Sequence, residues 1–124
     1  MSEQETKQSI AFKQKQNAVS SVEDNITAHA GGTQAAALAL NPLKTIHNVT
    51  TVATAADSVK LPLATGSGTQ HLVNNSSATS LKIYGSGTDT IDGVDTATGV
   101  SIAGGKARLL TDIAVGKWIS LLGA

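Results

Sequence analysis

Short runs in which apolar and polar residues alternate occupy the chain from Thr45 onward. They lie at 58–63, 81–84 and 109–113, and a run rich in β-branched residues covers 49–54. Turn-forming pairs and triplets of Gly, Asn, Asp and Ser separate these runs at intervals of about 8–12 residues, the rhythm of an all-β sandwich or barrel. The pattern predicts an all-β fold, a small antiparallel β-sandwich or barrel-like domain preceded by an N-terminal extended or partly helical arm.

The pattern also divides the chain into three parts. Residues 1–25 are polar and charged and contain neither glycine nor proline, which favours an arm. Residues 26–43 are dominated by Ala, Gly and Thr and predict a small-residue connector, in which 35–40 forms either one helical turn or a short extended segment. Residues 44–124 form the predicted β domain.

The arm carries few large apolar side chains. After Met1 they are Ile10, Phe12, Val19 and Val22, too few for a free amphipathic helix to be stable. Two interpretations stay open: a disordered tail, or an arm that orders only against a partner. In the second case these four residues are the predicted partner-binding anchors.

Charge and cysteine content exclude several classes of function. The chain has 9 basic and 9 acidic residues, so no basic excess favours binding to nucleic acid. It has no cysteine, which excludes disulfides, thiolate catalysis and zinc sites built on sulfur. No apolar run approaches the roughly 20 residues that span a bilayer, so no membrane partner is expected.

Aromatic residues are scarce, at 2% of the chain: Phe12, Tyr84 and Trp118. A core built from Val, Ile, Leu and Ala buries less apolar area per residue, and a small domain of this kind is only marginally stable alone. We therefore expect association between copies, with a tightly turned monomer as the alternative.

No catalytic or cofactor motif stands out in the sequence. The histidines His29, His47 and His71 have no Asp or Glu within three residues, which predicts surface or hairpin positions. Asp89, Asp92 and Asp95 lie three residues apart, a spacing that fits turn-capping carboxylates better than a calcium loop. Glycine-rich stretches lack the remaining residues of a phosphate-binding loop. We expect no enzyme activity, no cofactor and no metal.

Five stretches in this order resemble a small module of bacteriophage virion proteins, especially capsid decoration (cement) and head-fibre proteins. They are Ile26–Gly32, Val49–Pro62, Tyr84–Gly93, Ala97–Ser101 and Gly116–Trp118. The resemblance covers residues 26–124, about four-fifths of the chain, and leaves 1–25 unmatched.

The resemblance implies a β-structured, non-catalytic protein, often trimeric, that attaches to a phage shell. The expected partners are the major capsid protein and other copies of the chain in a homotrimer. The expected location is the capsid surface of the virion, after synthesis in the host cytoplasm. A receptor- or glycan-binding fibre tip is the alternative function.

Overall fold

A computed structural model describes residues 21–123, and all regular structure in that range is β-strand. The all-β prediction is confirmed. No helix among these residues has the length and apolar character needed to cross a bilayer. The strands are β1 Val22–Thr27, β2 Leu38–Ala39, β3 Ile46–Thr51, β4 Ser58–Lys60, β5 Gln70–Asn75, β6 Leu81–Tyr84, β7 Thr90–Ile91, β8 Val100–Ile102, β9 Ala107–Ala114 and β10 Lys117–Gly123.

Two sheets share these strands, and the first six strands alternate between them. The six-stranded sheet has the order β1-β3-β5-β9-β10-β7, and the four-stranded sheet has the order β2-β4-β6-β8. Strands β1, β3 and β5 are parallel to one another, as are β2, β4 and β6. The chain therefore winds in successive coils, each of which adds one strand to each sheet.

This solenoid-like arrangement differs from the antiparallel sandwich or barrel that turn spacing favoured. Parallel neighbours need a long crossover, and here the crossover is the strand of the opposite sheet. Val22 pairs with Ile46, and Ile46 with Leu72, so equivalent positions recur once per coil. Antiparallel pairing between the strands named above involves those of the second half, where β9 joins β5, β10 joins β9, and β8 joins β6.

The core lies between the inner faces of the two sheets. Trp118 from the six-stranded sheet and Tyr84 from the four-stranded sheet are both 2% exposed. Trp118 is the largest buried side chain, and the hydrophobic cluster around it is otherwise aliphatic. The remaining core members are small enough to interdigitate across a thin two-layer domain.

The first of the two predicted boundaries lies inside a strand, and the second lies in the connection between β2 and β3. The boundary after residue 25 falls inside β1, because Val22–Thr27 is one strand that pairs with β3. The predicted connector 26–43 supplies β2 and the buried core residue Leu40. The described part of the predicted arm, residues 21–25, therefore belongs to the sheet.

Candidate functional site

The outward face of the six-stranded sheet carries a continuous row of aliphatic residues, one from each of five neighbouring strands. Cα pairing links each member to the next across β1, β3, β5, β9 and β10. We call this set the apolar row; its members are Val22, Ile46, Leu72, Leu109 and Leu121. Ile46 is 37% exposed and Leu121 is 70% exposed.

The row exists because side chains alternate along every strand. In β9, Leu110 points into the core and is fully buried, so its neighbour Leu109 points outward. In β10, buried Trp118 fixes the inward parity, so Ile119 and Leu121 point outward. The outward residues are therefore aliphatic at positions where a solvated sheet face normally carries polar groups.

A ladder of polar side chains borders the row on one side. Asn74 Nδ2 donates to Asn48 Oδ1 at 2.9 Å, and Asn48 Nδ2 donates to Asp24 Oδ1 at 2.8 Å. The Asn48 hydrogen bond, followed by the one from the Asn25 backbone, lowers the pKa of Asp24. The ladder ties together the same three parallel strands, β1, β3 and β5.

On its other side the row opens into a shallow depression of about 360 Å³. Ile46, Leu72 and Leu109 contribute to its lining, together with Thr69 and Gln70. Large exposed aliphatic groups on a sheet face lose their contact with water when another protein surface covers them, which is favourable. The geometry therefore suits contact with a surface rather than enclosure of a small molecule.

Directly behind the row, a column of polar side chains, one partly buried and two buried, runs through the same three strands. Glu23, His47 and His71 recur 24 residues apart, one per coil. His47 Nδ1 lies 2.8 Å from Glu23 Oε1, and His47 Nε2 lies 2.9 Å from His71 Nδ1. We call these three residues the polar column.

Both histidines of the column are almost fully buried, His47 at 0% and His71 at 2% exposed. The prediction of surface or hairpin positions is therefore wrong for His47 and His71, whereas His29 is exposed. Sequence distance misled that prediction, because the coil brings Glu23 beside an imidazole that is 24 residues away.

Burial lowers the pKa of His71, and the positive charge that His47 can carry lowers it further, while a hydrogen bond with the Lys44 backbone opposes both. The ring of Trp118 meets His71 edge-on at a centroid distance of 5.8 Å. A cavity of about 150 Å³ adjoins His71 and Trp118 and is also lined by Asp112.

Three aspartates hold turns and hairpins by accepting backbone hydrogen bonds; Asp112 and Asp89 are buried, and Asp92 is exposed. Asp112 accepts hydrogen bonds from the backbone of Thr65 and Gly66 at 2.7 and 2.6 Å. Asp89 accepts from the Ala64 backbone at 2.7 Å, and Asp92 from the Ser120 backbone at 2.7 Å. Within residues 21–123 there is no cluster of three or more His, Asp or Glu side chains suited to a metal ion.

Of the four predicted anchors, only Val22 lies in the described part of the chain, and it forms the β1 end of the apolar row. Ile10, Phe12 and Val19 lie outside the described residues. Sequence reasoning missed the other members of the row, because it assigned each strand's alternation separately. The 24-residue spacing of Glu23 and His47 matches the register of β1 and β3, but His47 pairs with Val73, so the same spacing would have misaligned β5 by two positions.

Comparisons with protein-family models, with curated proteins and with solved structures found no match.

Proposed function

We propose that this protein is a non-catalytic structural protein of a bacteriophage virion, which binds the outside of the capsid as a decoration protein. The observation that carries the proposal is the apolar row on the exposed face of the six-stranded sheet. The sequence resemblance to decoration and head-fibre modules supplies the biological setting.

The row suits repeated contact with a lattice. It is linear and crosses five strands, which at about 4.8 Å per strand gives a contact about 19 Å long. The bordering ladder of Asp24, Asn48 and Asn74 places a polar rim along one side. An apolar centre with a polar rim is the usual anatomy of a protein interface. Many copies on one shell add modest contacts into high avidity.

The proposal includes the predicted anchors of the arm. Ile10, Phe12 and Val19 precede Val22 in the sequence, and Val22 begins β1 at one end of the row. We propose that these anchors and the row bind the same partner, the major capsid protein. The homotrimer, which we propose because the core is built from small aliphatic side chains, would present three copies of the row.

Cosedimentation of the full-length protein with empty capsids of the phage that encodes it tests the proposal. Leu121→Ser removes a 70% exposed member of the row, and Val115→Ser is the matched control, because Val115 is 79% exposed in the β9–β10 turn outside the row. Burial of a leucine side chain contributes about 2 kcal/mol, so we expect at least a tenfold loss of affinity for Leu121→Ser alone.

Equal binding by both variants and the unchanged protein would remove the row from the interface. Absence of binding by the unchanged protein, together with a positive glycan array, would favour the fibre-tip alternative. Light scattering tests the trimer separately, and a monomer at micromolar concentration would contradict that part of the proposal.

A further inference from the structure

The polar column links the first strand of the six-stranded sheet to its interior. Glu23 lies on β1, His47 on β3 and His71 on β5, so two hydrogen bonds cross two strand boundaries. Glu23 Oε1 also accepts a hydrogen bond from the backbone of Asn41 at 2.9 Å. Three segments of the chain therefore converge on one carboxylate.

The first half of β1 depends on this link more than the rest of the strand does. Among the strands of residues 21–123, β1 lies at the edge of the sheet and pairs with β3 alone, and its register is irregular between Glu23 and Ile26. Asn25 sits at the irregularity with φ of 55°. Beyond it Ile26 is 5% exposed and belongs to the core, so the second half has an apolar anchor of its own.

The hydrogen bond between His47 and His71 exists only in some protonation states of the two rings. A carboxylate only accepts, so His47 Nδ1 carries a hydrogen and donates to Glu23. The contact between His47 Nε2 and His71 Nδ1 needs one hydrogen, which either ring can supply. The bond therefore exists when the pair is neutral and when it carries one positive charge opposite Glu23. With two charges, both facing nitrogens are donors and the bond is lost.

We propose that Glu23, His47 and His71 form an acid-operated latch, which holds the first half of β1 against β3 and releases it when both imidazoles are protonated. Release follows because two buried imidazolium rings with no acceptor between them repel each other. The Glu23 carboxylate and the hydrogen bond of His71 with the Lys44 backbone oppose this release. The proposal is independent of the proposed virion function.

The other charged groups around the column are committed elsewhere. Asp112, which lines the same cavity as His71, is bound by the 65–66 backbone. Arg108 lies on β9, two positions before the register partner of His71, and its side chain binds Ser101 and Ser120. Asp89 binds the Ala64 backbone. Among the described residues, Glu23 is therefore the acidic group that is hydrogen-bonded to the pair of histidines, through His47.

The direction of the pH effect follows from the lowered pKa of His71. The latched state binds fewer protons than the released state, in which the histidine titrates near its ordinary value of about 6.5. Above that pH, the equilibrium constant between the latched and released states does not change with pH. As the pH falls below about 6.5, this constant shifts toward release by up to tenfold per pH unit, until His71 also takes up a proton in the latched state.

Amide hydrogen exchange followed by NMR on the full chain reports the latch directly. The backbone amides of Thr45 and Ile46 donate to Ser21 O, and that of Asn41 donates to Glu23, so all three lose their acceptors on release. The amide of Ala28 donates to Thr51 O beyond the irregularity and serves as the internal control. Protection factors are compared at pH 7.5 and 5.0, while the imidazole signals are titrated in the same samples.

Between pH 7.5 and 5.0, we expect the protection factors of Asn41, Thr45 and Ile46 to fall at least tenfold more than that of Ala28. The midpoint of this fall should coincide with the midpoint of the His71 titration. In His71→Gln, which does not titrate, that differential loss should disappear, and in the matched control His29→Gln it should persist. If His71→Gln fails to fold, coincidence of the two midpoints in the unchanged protein decides the question.

Three results overturn the proposal. In the first, His71 titrates while the protection of the three amides stays within twofold. In the second, His71→Gln retains the differential loss. In the third, His71 remains uncharged until the whole domain unfolds, so that all amides lose protection together.

Discussion

Replacing Asp112 by asparagine tests whether one buried carboxylate holds the turn between β4 and β5. Asp112 is 1% exposed, and its Oδ1 accepts from Gly66 N at 2.6 Å while its Oδ2 accepts from Thr65 N at 2.7 Å and from Thr65 Oγ1 at 3.2 Å. Burial by itself raises the pKa of Asp112, but the hydrogen bonds from Thr65, Gly66 and Ser67 together outweigh it and lower the pKa.

The expected cost follows from these contacts. Asparagine keeps one acceptor oxygen and turns an NH₂ group toward a backbone N–H, so at least one donor of these part-buried hydrogen bonds loses its partner. An unpaired buried donor costs about 1–3 kcal/mol, and the remaining bond loses its charge assistance. We expect Asp112→Asn to lower the free energy of unfolding at pH 7 by about 2–4 kcal/mol, a large part of the 5–15 kcal/mol typical of a domain.

Urea denaturation followed by the fluorescence of Trp118, the single tryptophan, measures this cost. The midpoint should fall by about 1–2 M with an unchanged m value. Asp95→Asn is the control, because Asp95 is exposed and should change stability by less than about 0.5 kcal/mol. Equal midpoints for the two variants would refute the argument that the turn depends on the carboxylate.

The same pair of proteins gives a test by pH. A carboxyl group with a lowered pKa stabilises the fold above its unfolded value, near 3.9, and that contribution disappears as the pH falls through the folded value. The stability difference between the unchanged protein and Asp112→Asn should therefore shrink below about pH 4. A difference that stays constant from pH 7 to pH 3 would show that the charge is irrelevant.

Two further substitutions test the close packing of the coils by the same urea assay. Gly99→Ala should lower the free energy of unfolding by more than about 2 kcal/mol, because φ is +64° and an added Cβ would lie 2.5 Å from Ile83 O. Gly68→Ala should lower it by only about 1 kcal/mol, because φ is +79° there but the space around the added Cβ is open. Equal losses would contradict the steric argument. Leu110→Ala should cost about 2–5 kcal/mol because the residue is fully buried, whereas Ile113→Ala on the same strand, 51% exposed, should cost less than about 1 kcal/mol; the reverse order would mean that β9 has the opposite parity.

Local alternation was enough to predict the strand content but not the strand neighbours. The runs at 58–63, 81–84 and 109–113 all contain strands, since a period of two is a property of a strand by itself. Pairing direction is a relation between distant segments, and parallel crossovers leave no mark at the turn. The antiparallel expectation rested on turn spacing, which is similar for hairpins and for the short corners of a coil.

The sequence also did not reveal which of the two alternating sets of residues in a strand faces the core. In β9 the sequence offers Leu109 and Ile113 as one apolar set and Leu110 with Asp112 as the other, and the aliphatic count favours the first as the core set. The structure buries the second set, because Asp112 finds backbone donors in the turn at 65–66. Because the Asp112 carboxylate faces inward, Leu109 faces outward and joins the apolar row. The candidate site could therefore not be predicted without knowing that the turn at 65–66 lies beside Asp112.

The apolar row and the polar column are coupled by adjacency in the chain. Val22 and Glu23 are consecutive residues of β1, one facing outward in the row and the other inward to His47. Any event that frees Glu23 from His47 also frees Val22 from its place beside Ile46. If both proposals hold, acid should weaken capsid binding through the β1 end of the row while Leu121, at the far end, stays in place. Binding of Leu121→Ser should then show the same relative pH dependence as that of the unchanged protein, whereas His71→Gln should bind equally at pH 7.5 and 5.0.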